Sequence, residues 1–366
     1  MKKMPSVTLL AATVAVGGAV AYAASKPESL TIASWGGAYT YSQVKAYHEP
    51  FTAKTGIKII TEDPGGSGPA GLKAQVESGK VTWDLVDVLE APALKMCEEG
   101  LLEEFDPDKI LAPAPDGTPP SKDWISGLTN CYIPTIVYAT LFAYNKTMFP
   151  EGKTPKTIKD VFDLKNFPGK RGLEKTPYGN LEWALVADGV PYTEVYKVLA
   201  TPEGLDRAFK KLDTIKKQVV WWEKGAQPPQ LLADKEVAIA TAYNGRIFDA
   251  QVKEKQPFVI IWDGQLLELD GWVIPKGTKN LEAIYEYLRM TTDTQHLADQ
   301  AKYISYGPAR KSSAPLVSKH AETGVDMKPH MPTNPDNMKT AIVKDAKWWA
   351  ENYDSINQRF SAWLAQ

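Results

Sequence analysis

Few side chains in this sequence are placed to do chemistry, and those few are aromatic or singly charged. Tyr243-Asn244-Gly245-Arg246 puts a ring, an amide and a guanidinium into one turn. An Arg fork matches a carboxylate or phosphate at two points; the same Arg would also serve to solvate a helix start or pair with Asp249. Asp270, just before Gly271-Trp272, is a lone carboxylate among aromatic residues. Such a group orients an ammonium that neighbouring rings hold by cation–π attraction, or it is simply a turn residue. Near the start, residues 30–41 read LTIASWGGAYTY, a strand-like run stopped by Trp35-Gly36-Gly37 and resumed at Tyr39. Glycine is unfavourable inside a strand and useful where backbone must approach something closely. The stretch is therefore either a tight strand-to-helix turn beside a core aromatic, or a ligand cradle walled by Trp35 and Tyr39.

Other chemistries find little support. The histidines at 48, 296, 320 and 330 are scattered, and the chain has no Cys-x-x-Cys, no Gly-x-Ser-x-Gly and no Walker-type Gly-x-x-x-x-Gly-Lys-Ser/Thr loop. Asp63-Pro64-Gly65-Gly66-Ser67-Gly68 could hold an anion on backbone N–H groups, but without a following Lys-Ser/Thr it reads as a flexible loop. Asp270 with Glu268 is the one acid/base pair an exported lyase or hydrolase would use.

These residues fall at the ends of regular elements. Strand Ser29–Ser34, a helix over 41–55, strand 56–60, a helix over 70–77 and strand 83–88 alternate as in a parallel α/β sheet. Ligands bind at the carboxyl ends of such strands, where Trp35-Gly36-Gly37 stands. A long β-type run covers 133–145, and helices follow over 180–187, 193–199 and 201–216. Short strands are expected at 219–222 and 237–240, a helix over 247–253, and two further strands at 258–262 and 271–275. Helices over 281–290 and 294–305 come next, and the aromatic tail over 341–364 reads as two helices.

The opening MKKMPSVTLLAATVAVGGAVAYA has a basic start, a short apolar run and a small-x-small site. It reads as a signal peptide, 1–23, placing the mature protein in the periplasm. The chain holds 42 Lys+Arg and 44 Asp+Glu; without Lys2 and Lys3 these are 40 and 44, a net charge of −4. That balance, free of basic blocks, argues against a nucleic-acid partner. A length of 366 residues suggests two domains. Cys97 and Cys131, an even count in an oxidising compartment, are expected to pair, the alternative being two buried thiols.

In this order, Ser34-Trp35, Thr55-Gly56-Ile57-Lys58-Ile59, Trp83-Asp84-Leu85-Val86, Lys95-Met96…Glu99-Gly100, Ile133-Pro134, Tyr243-Asn244-Gly245, Ile274-Pro275 and Ile304-Ser305-Tyr306 resemble one family. It is the spermidine/putrescine-binding group of periplasmic solute-binding proteins of ABC importers, and the resemblance spans essentially the whole mature chain. It implies an α/β fold of two lobes (type II), with the ligand in a cleft between lobes joined by crossing strands: lobe 1 from 24–138 plus 268–325, lobe 2 from 139–267 plus 326–366. It implies no enzyme activity, no cofactor, no metal, a monomer, and an inner-membrane permease as partner. Trp35 and Tyr243 match the family's aromatic walls, Asp270 its amine-receiving carboxylate and Tyr306 a late aromatic contact. Departures are informative. Two further carboxylates of polyamine binders fall near Thr176 and Gly179, where no acid stands, unless Glu174 or Glu182 replaces one. Glu268 falls on an aromatic wall, and Arg246 has no counterpart. A ligand with an amine at one end and a carboxylate at the other, such as γ-aminobutyrate, satisfies both Asp270 and Arg246 better than putrescine or spermidine does. Polyamine binders carry polar side chains at Gly36-Gly37, so two glycines there suggest N–H groups offered to that carboxylate. The candidate ligand-binding set is Trp35, Gly36, Gly37, Tyr39, Glu90, Tyr243, Arg246, Asp270 and Tyr306. A receptor for an anion or chelated metal, using tyrosines and Arg246, is the alternative within the same class.

Overall fold

The structure, a computed structural model, describes residues 26–366; the expected signal peptide lies outside them. Eight main strands form one mixed sheet: β1 (Ser29–Ala33), β2 (Lys58–Glu62), β3 (Leu85–Leu89), β4 (Ile133–Asn145), β5 (Arg171–Glu174), β6 (Val219–Trp222), β7 (Ile239–Tyr243) and β8 (Phe258–Val273). Their order is β2-β1-β3-β8-β4-β7-β5-β6. Two short strands complete it, β9 (Gly307–Pro308) on β4 and β10 (Ile342–Val343) on β8. At each flank the strands are parallel, β1 with β2 and β3, β5 with β6 and β7. In the middle β3, β8, β4 and β7 run antiparallel.

β4 and β8 tie the two flanks together. All 13 residues of β4 are buried, which fits the near-continuous β-branched and aromatic run of an interior strand. Its first part pairs with β8 from Ile133↔Trp272 to Thr140↔Leu266 and its last part from Phe142↔Ile261 to Asn145↔Phe258. Between them the register shifts, because β8 makes an excursion over 262–265. The two strands expected at 258–262 and 271–275 are thus one 16-residue strand. Asp263-Gly264-Gln265 resembles a turn, and Gly264 does take φ +64°. Here, however, the excursion is buried at Gly264-Gln265 and held. Trp183 Nε1 donates to the Gly264 carbonyl at 2.8 Å, and Gln265 Nε2 donates to the carbonyls of Pro332 and Asn337 at 2.9 and 2.7 Å.

Apolar cores sit on either side of this seam. One gathers Tyr47, Phe51, Trp272 and Tyr287 against β1 and β8, the other Phe142, Trp183, Trp349 and Phe360 against β4 and the C-terminal helix. That helix, Ala346–Leu364, is single where two were expected, since no Gly or Pro interrupts it and Asp345 caps it by accepting the Trp348 N–H at 2.9 Å. The first helix opens at Gly37 rather than 41, directly after the glycine turn, and continues through a π-helical turn, Val44–His48, to Thr55.

Cys97, on helix Glu90–Glu98, and Cys131, just before β4, form a disulfide spanning 34 positions. Closing a loop of that length removes about 3–4 kcal/mol of unfolded-chain entropy. Cys97→Ser/Cys131→Ser, or reduction, is expected to lower the melting temperature measured by circular dichroism, with the wild type in reductant matching the double variant.

Candidate functional site

β1 ends at Ala33 and delivers Trp35 to the seam; Gly36 (φ +76°) and Gly37 (φ +61°) then turn the chain into its helix. What they leave room for is Arg246. A Cβ on Gly37 would come within 2.8 Å of Arg246 Nη1, and Arg246 Nη2 donates to the Gly36 carbonyl at 3.3 Å. Arg246 comes from helix Asn244–Val252, at the end of β7, so this contact joins the two flanks of the sheet. The Gly36 N–H is not free as the sequence suggested: it donates to Thr40 Oγ1 at 2.9 Å. Nor does Arg246 pair with Asp249, which Lys253 engages at 2.9 Å.

Asn244 fixes the turn that carries Tyr243 and Arg246. Its Oδ1 accepts the Ala139 N–H at 3.0 Å and its Nδ2 donates to the Ser305 carbonyl at 2.6 Å, locking β7 to β4 and to the segment before Tyr306. The rings then meet in a chain. Tyr39 lies 5.8 Å from Tyr306, Tyr306 5.8 Å from Tyr138, and Tyr138 5.6 Å from Tyr243. Trp35 packs partly buried against the same group. Four of these five, Trp35, Tyr39, Tyr243 and Tyr306, belong to the candidate set, and the structure brings them together. Tyr138 was read only as a strand residue; its alternation with Thr140, which faces Tyr243 across β4–β7, was the available signal.

Acids lie under the rings. Asp270 and Asp87 are 3% exposed or less, on the adjacent strands β8 and β3. Burial pushes Asp87 up to about 7, against the hydrogen bond that Gln43 donates to it. Burial, and then the charge of Asp87, raise Asp270 well above the usual carboxylate range, offset by nearby Tyr39 and Trp35. Tyr39 OH donates to Asp87 Oδ1 at 3.4 Å. Neither Asp270 Oδ1, Trp35 Nε1 nor Arg246 Nε has a hydrogen-bond partner, although all three atoms are buried. A buried polar atom left unpaired costs roughly 1–3 kcal/mol, more when charged, which makes Asp270 Oδ1, Trp35 Nε1 and Arg246 Nε candidates for contact with a ligand. Asp84, three residues before Asp87, shows the contrast: it accepts from Thr31, Thr278 and Asn280 and is a structural residue.

At the β5 end, Glu174 accepts from Tyr243 OH at 3.0 Å, and burial pushes it up to about 7. Of the two acids considered for the extra carboxylate, Glu174 stands beside the ring chain, whereas Glu182 is fully buried in the core, accepting from Tyr196 OH and Trp349 Nε1 at 2.8 Å each. Glu268 accepts from Thr140 and from the Lys344 ammonium. Glu90, first residue of its helix, stands apart from the rings; it lines a cavity of 160 Å³ with Leu89, Leu269, Glu268 and Lys344.

Residues 46–333 match the family model described as bacterial extracellular solute-binding protein. The chain is 38% identical over 347 residues, 94% of each chain, to the gamma-aminobutyric acid-binding protein of Pseudomonas aeruginosa. It is similar to a solved GABA receptor at 32% identity and TM-score 0.77, covering 92% of this chain and 98% of that one. It is also similar to the PBP MotA from A. tumefaciens B6, solved with glucopine, at 30% identity and TM-score 0.81, covering 92% and 99%.

The raised carboxyls fix a pH dependence. Between about 4 and 7, Asp87 and Glu174 hold protons in the folded protein that the unfolded chain has released, so stability without ligand falls as pH rises through that window. The melting temperature is expected to decline from pH 5 to pH 8, and Asp87→Asn to flatten the slope; an unchanged slope in that variant would contradict the assignment.

Proposed function

The chain belongs to the bacterial extracellular solute-binding family, and on that premise we propose that it is the receptor of an ABC importer for a small ω-amino acid of the γ-aminobutyrate type. Its relatives are named as binding proteins, and this chain is a binding protein, not an enzyme. It takes up a small molecule and works with a membrane permease. The catalytic use of Asp270 with Glu268 falls away with that family membership, and Glu268 is in any case held by Lys344.

The observation that carries the ligand class is the unpaired acceptor Asp270 Oδ1 on one side of the Trp35–Gly37 turn and the unpaired donor Arg246 Nε on the other. An ammonium on Asp270 restores the missing counter-charge among Trp35, Tyr39, Tyr138 and Tyr306, whose faces also attract it. A carboxylate on Arg246 fills the free edge of the guanidinium. Arg246 reaches this place only when the flanks are together, so a ligand holding both groups favours the shut form. The lobes of the proposal divide at 138/139, 267/268 and 325/326, with export by the 1–23 signal peptide, monomeric action and an inner-membrane permease as its further parts.

Thermal-shift and calorimetric titration with γ-aminobutyrate test it, since a ligand stabilises by RT ln(1 + [L]/Kd). Arg246→Ala is expected to weaken γ-aminobutyrate about 10- to 100-fold, the range for one charge-assisted hydrogen-bonded contact. Asp270→Asn is expected to abolish binding. The ligand-induced shift is expected to grow as pH rises, because the ammonium pairs with the ionised form of Asp270, whose carboxyl burial holds protonated above the usual carboxylate range. No shift with any ω-amino acid, together with one for an inorganic anion, would replace this reading by the anion receptor.

A further inference from the structure

Glu268 and Asp270 lie two residues apart on β8 with unbroken register against β4, Tyr138 opposite the first and Ile136 opposite the second. Their side chains therefore leave the same face of the sheet about 7 Å apart. Two buried carboxylates at that spacing, beside a tyrosine ring, would suit both ammonium groups of a short α,ω-diamine. They are not equivalent, however. Asp270 Oδ1 is unpaired, whereas Glu268 accepts from Thr140 Oγ1 at 3.3 Å and from Lys344 Nζ.

Lys344 is an unusual lysine. Its side chain is 5% exposed and that of Glu268 7%, and its Nζ lies 3.5 Å from the ring centroid of Tyr178. The backbone delivers it: Ile342 and Val343 pair with Leu266 and Leu267 of β8, and the Lys344 N–H donates to the Leu267 carbonyl at 3.0 Å. The ammonium is thus set on the carboxylate of the next residue along β8. Glu90, Glu174 and Glu182 are also within reach of its charge, which favours their ionised forms.

We propose that Lys344 is a specificity-determining residue: its ammonium, on Glu268 and over Tyr178, occupies the place a diamine's far ammonium would need, and so restricts the site to ligands with one cationic end. The inference rests on the single-amine reading above and deepens it. A second ammonium entering here meets a carboxylate already neutralised and a like charge beside it. Expelling Lys344 would leave Glu268 and its acidic neighbours without their cation, and an uncompensated buried charge is strongly destabilising. Specificity is a difference of affinities, and a built-in repulsive group adds to it beside the missing attraction.

The test is calorimetric titration of γ-aminobutyrate and putrescine into the wild type, Lys344→Ala, Lys344→Met and Lys344→Ala/Glu268→Gln. Removing the ammonium while keeping Glu268 is expected to raise putrescine affinity at least ~10-fold, about 1.4 kcal/mol, with a change below ~3-fold for γ-aminobutyrate. The gain is expected to vanish in the double variant, where no carboxylate remains for the second ammonium. Lys344→Met retains the apolar stem and serves if the alanine variant does not fold. Folded Lys344 variants without a putrescine gain would overturn the proposal, and so would wild-type protein that binds putrescine as tightly as γ-aminobutyrate. Failure of every ω-amino acid to bind the wild type would instead strike the single-amine reading, while the putrescine response of Lys344→Ala would still decide the role of the lysine.

Discussion

A carboxylate without a cation, out of reach of water, is the constraint on which the site depends. Asp270 is buried beneath aromatic rings and beside a second acid, Asp87, and the protein supplies it with no positive partner. Its neighbours have partners: Glu268 has Lys344 and Thr140, Glu174 has Tyr243, and one oxygen of Glu182 has Tyr196 and Trp349. Without ligand, the folded state meets the cost at Asp87 and Asp270 by retaining protons.

The surrounding architecture makes this arrangement tolerable. Antiparallel pairing of β3, β8 and β4 sets Asp87, Asp270, Glu268 and Tyr138 on a rigid sheet, where main-chain ladders fix each position. Asn244 ties the Tyr243–Arg246 turn to β4 and to Ser305, so three distant parts of the chain converge through one amide. Glycine at 37 removes the side chain that would keep the guanidinium at a distance.

Most of the frame was legible in the sequence because it rests on local signals. β4 (Ile133–Asn145), helix Asn180–Ala187 and β6 (Val219–Trp222) fall where their patterns place them, and Cys97 joins Cys131. Two elements misled. Asp263-Gly264-Gln265 carries turn residues, yet buried donors and acceptors from 183, 332 and 337 absorb its polarity and β8 runs on. The tail reads as helix throughout, which hides the two-residue β10 and with it Lys344; a strand so short has no periodicity to detect. Asp87 left a usable clue, an acid in the apolar run of WDLVDV, and a mid-strand acid in a buried strand is a functional candidate by its cost.

The single length of β8 has a mechanical consequence. The strand runs through both flanks of the sheet, with its register break at 262–265 only a few residues from Glu268 and Asp270. On the reading proposed above, a hinge at that break would leave Asp270, on the strand that carries it, less displaced than Arg246, which reaches over from the opposite flank to Gly36. The contact offered to a solute's positive end would then be in place before the contact offered to its negative end.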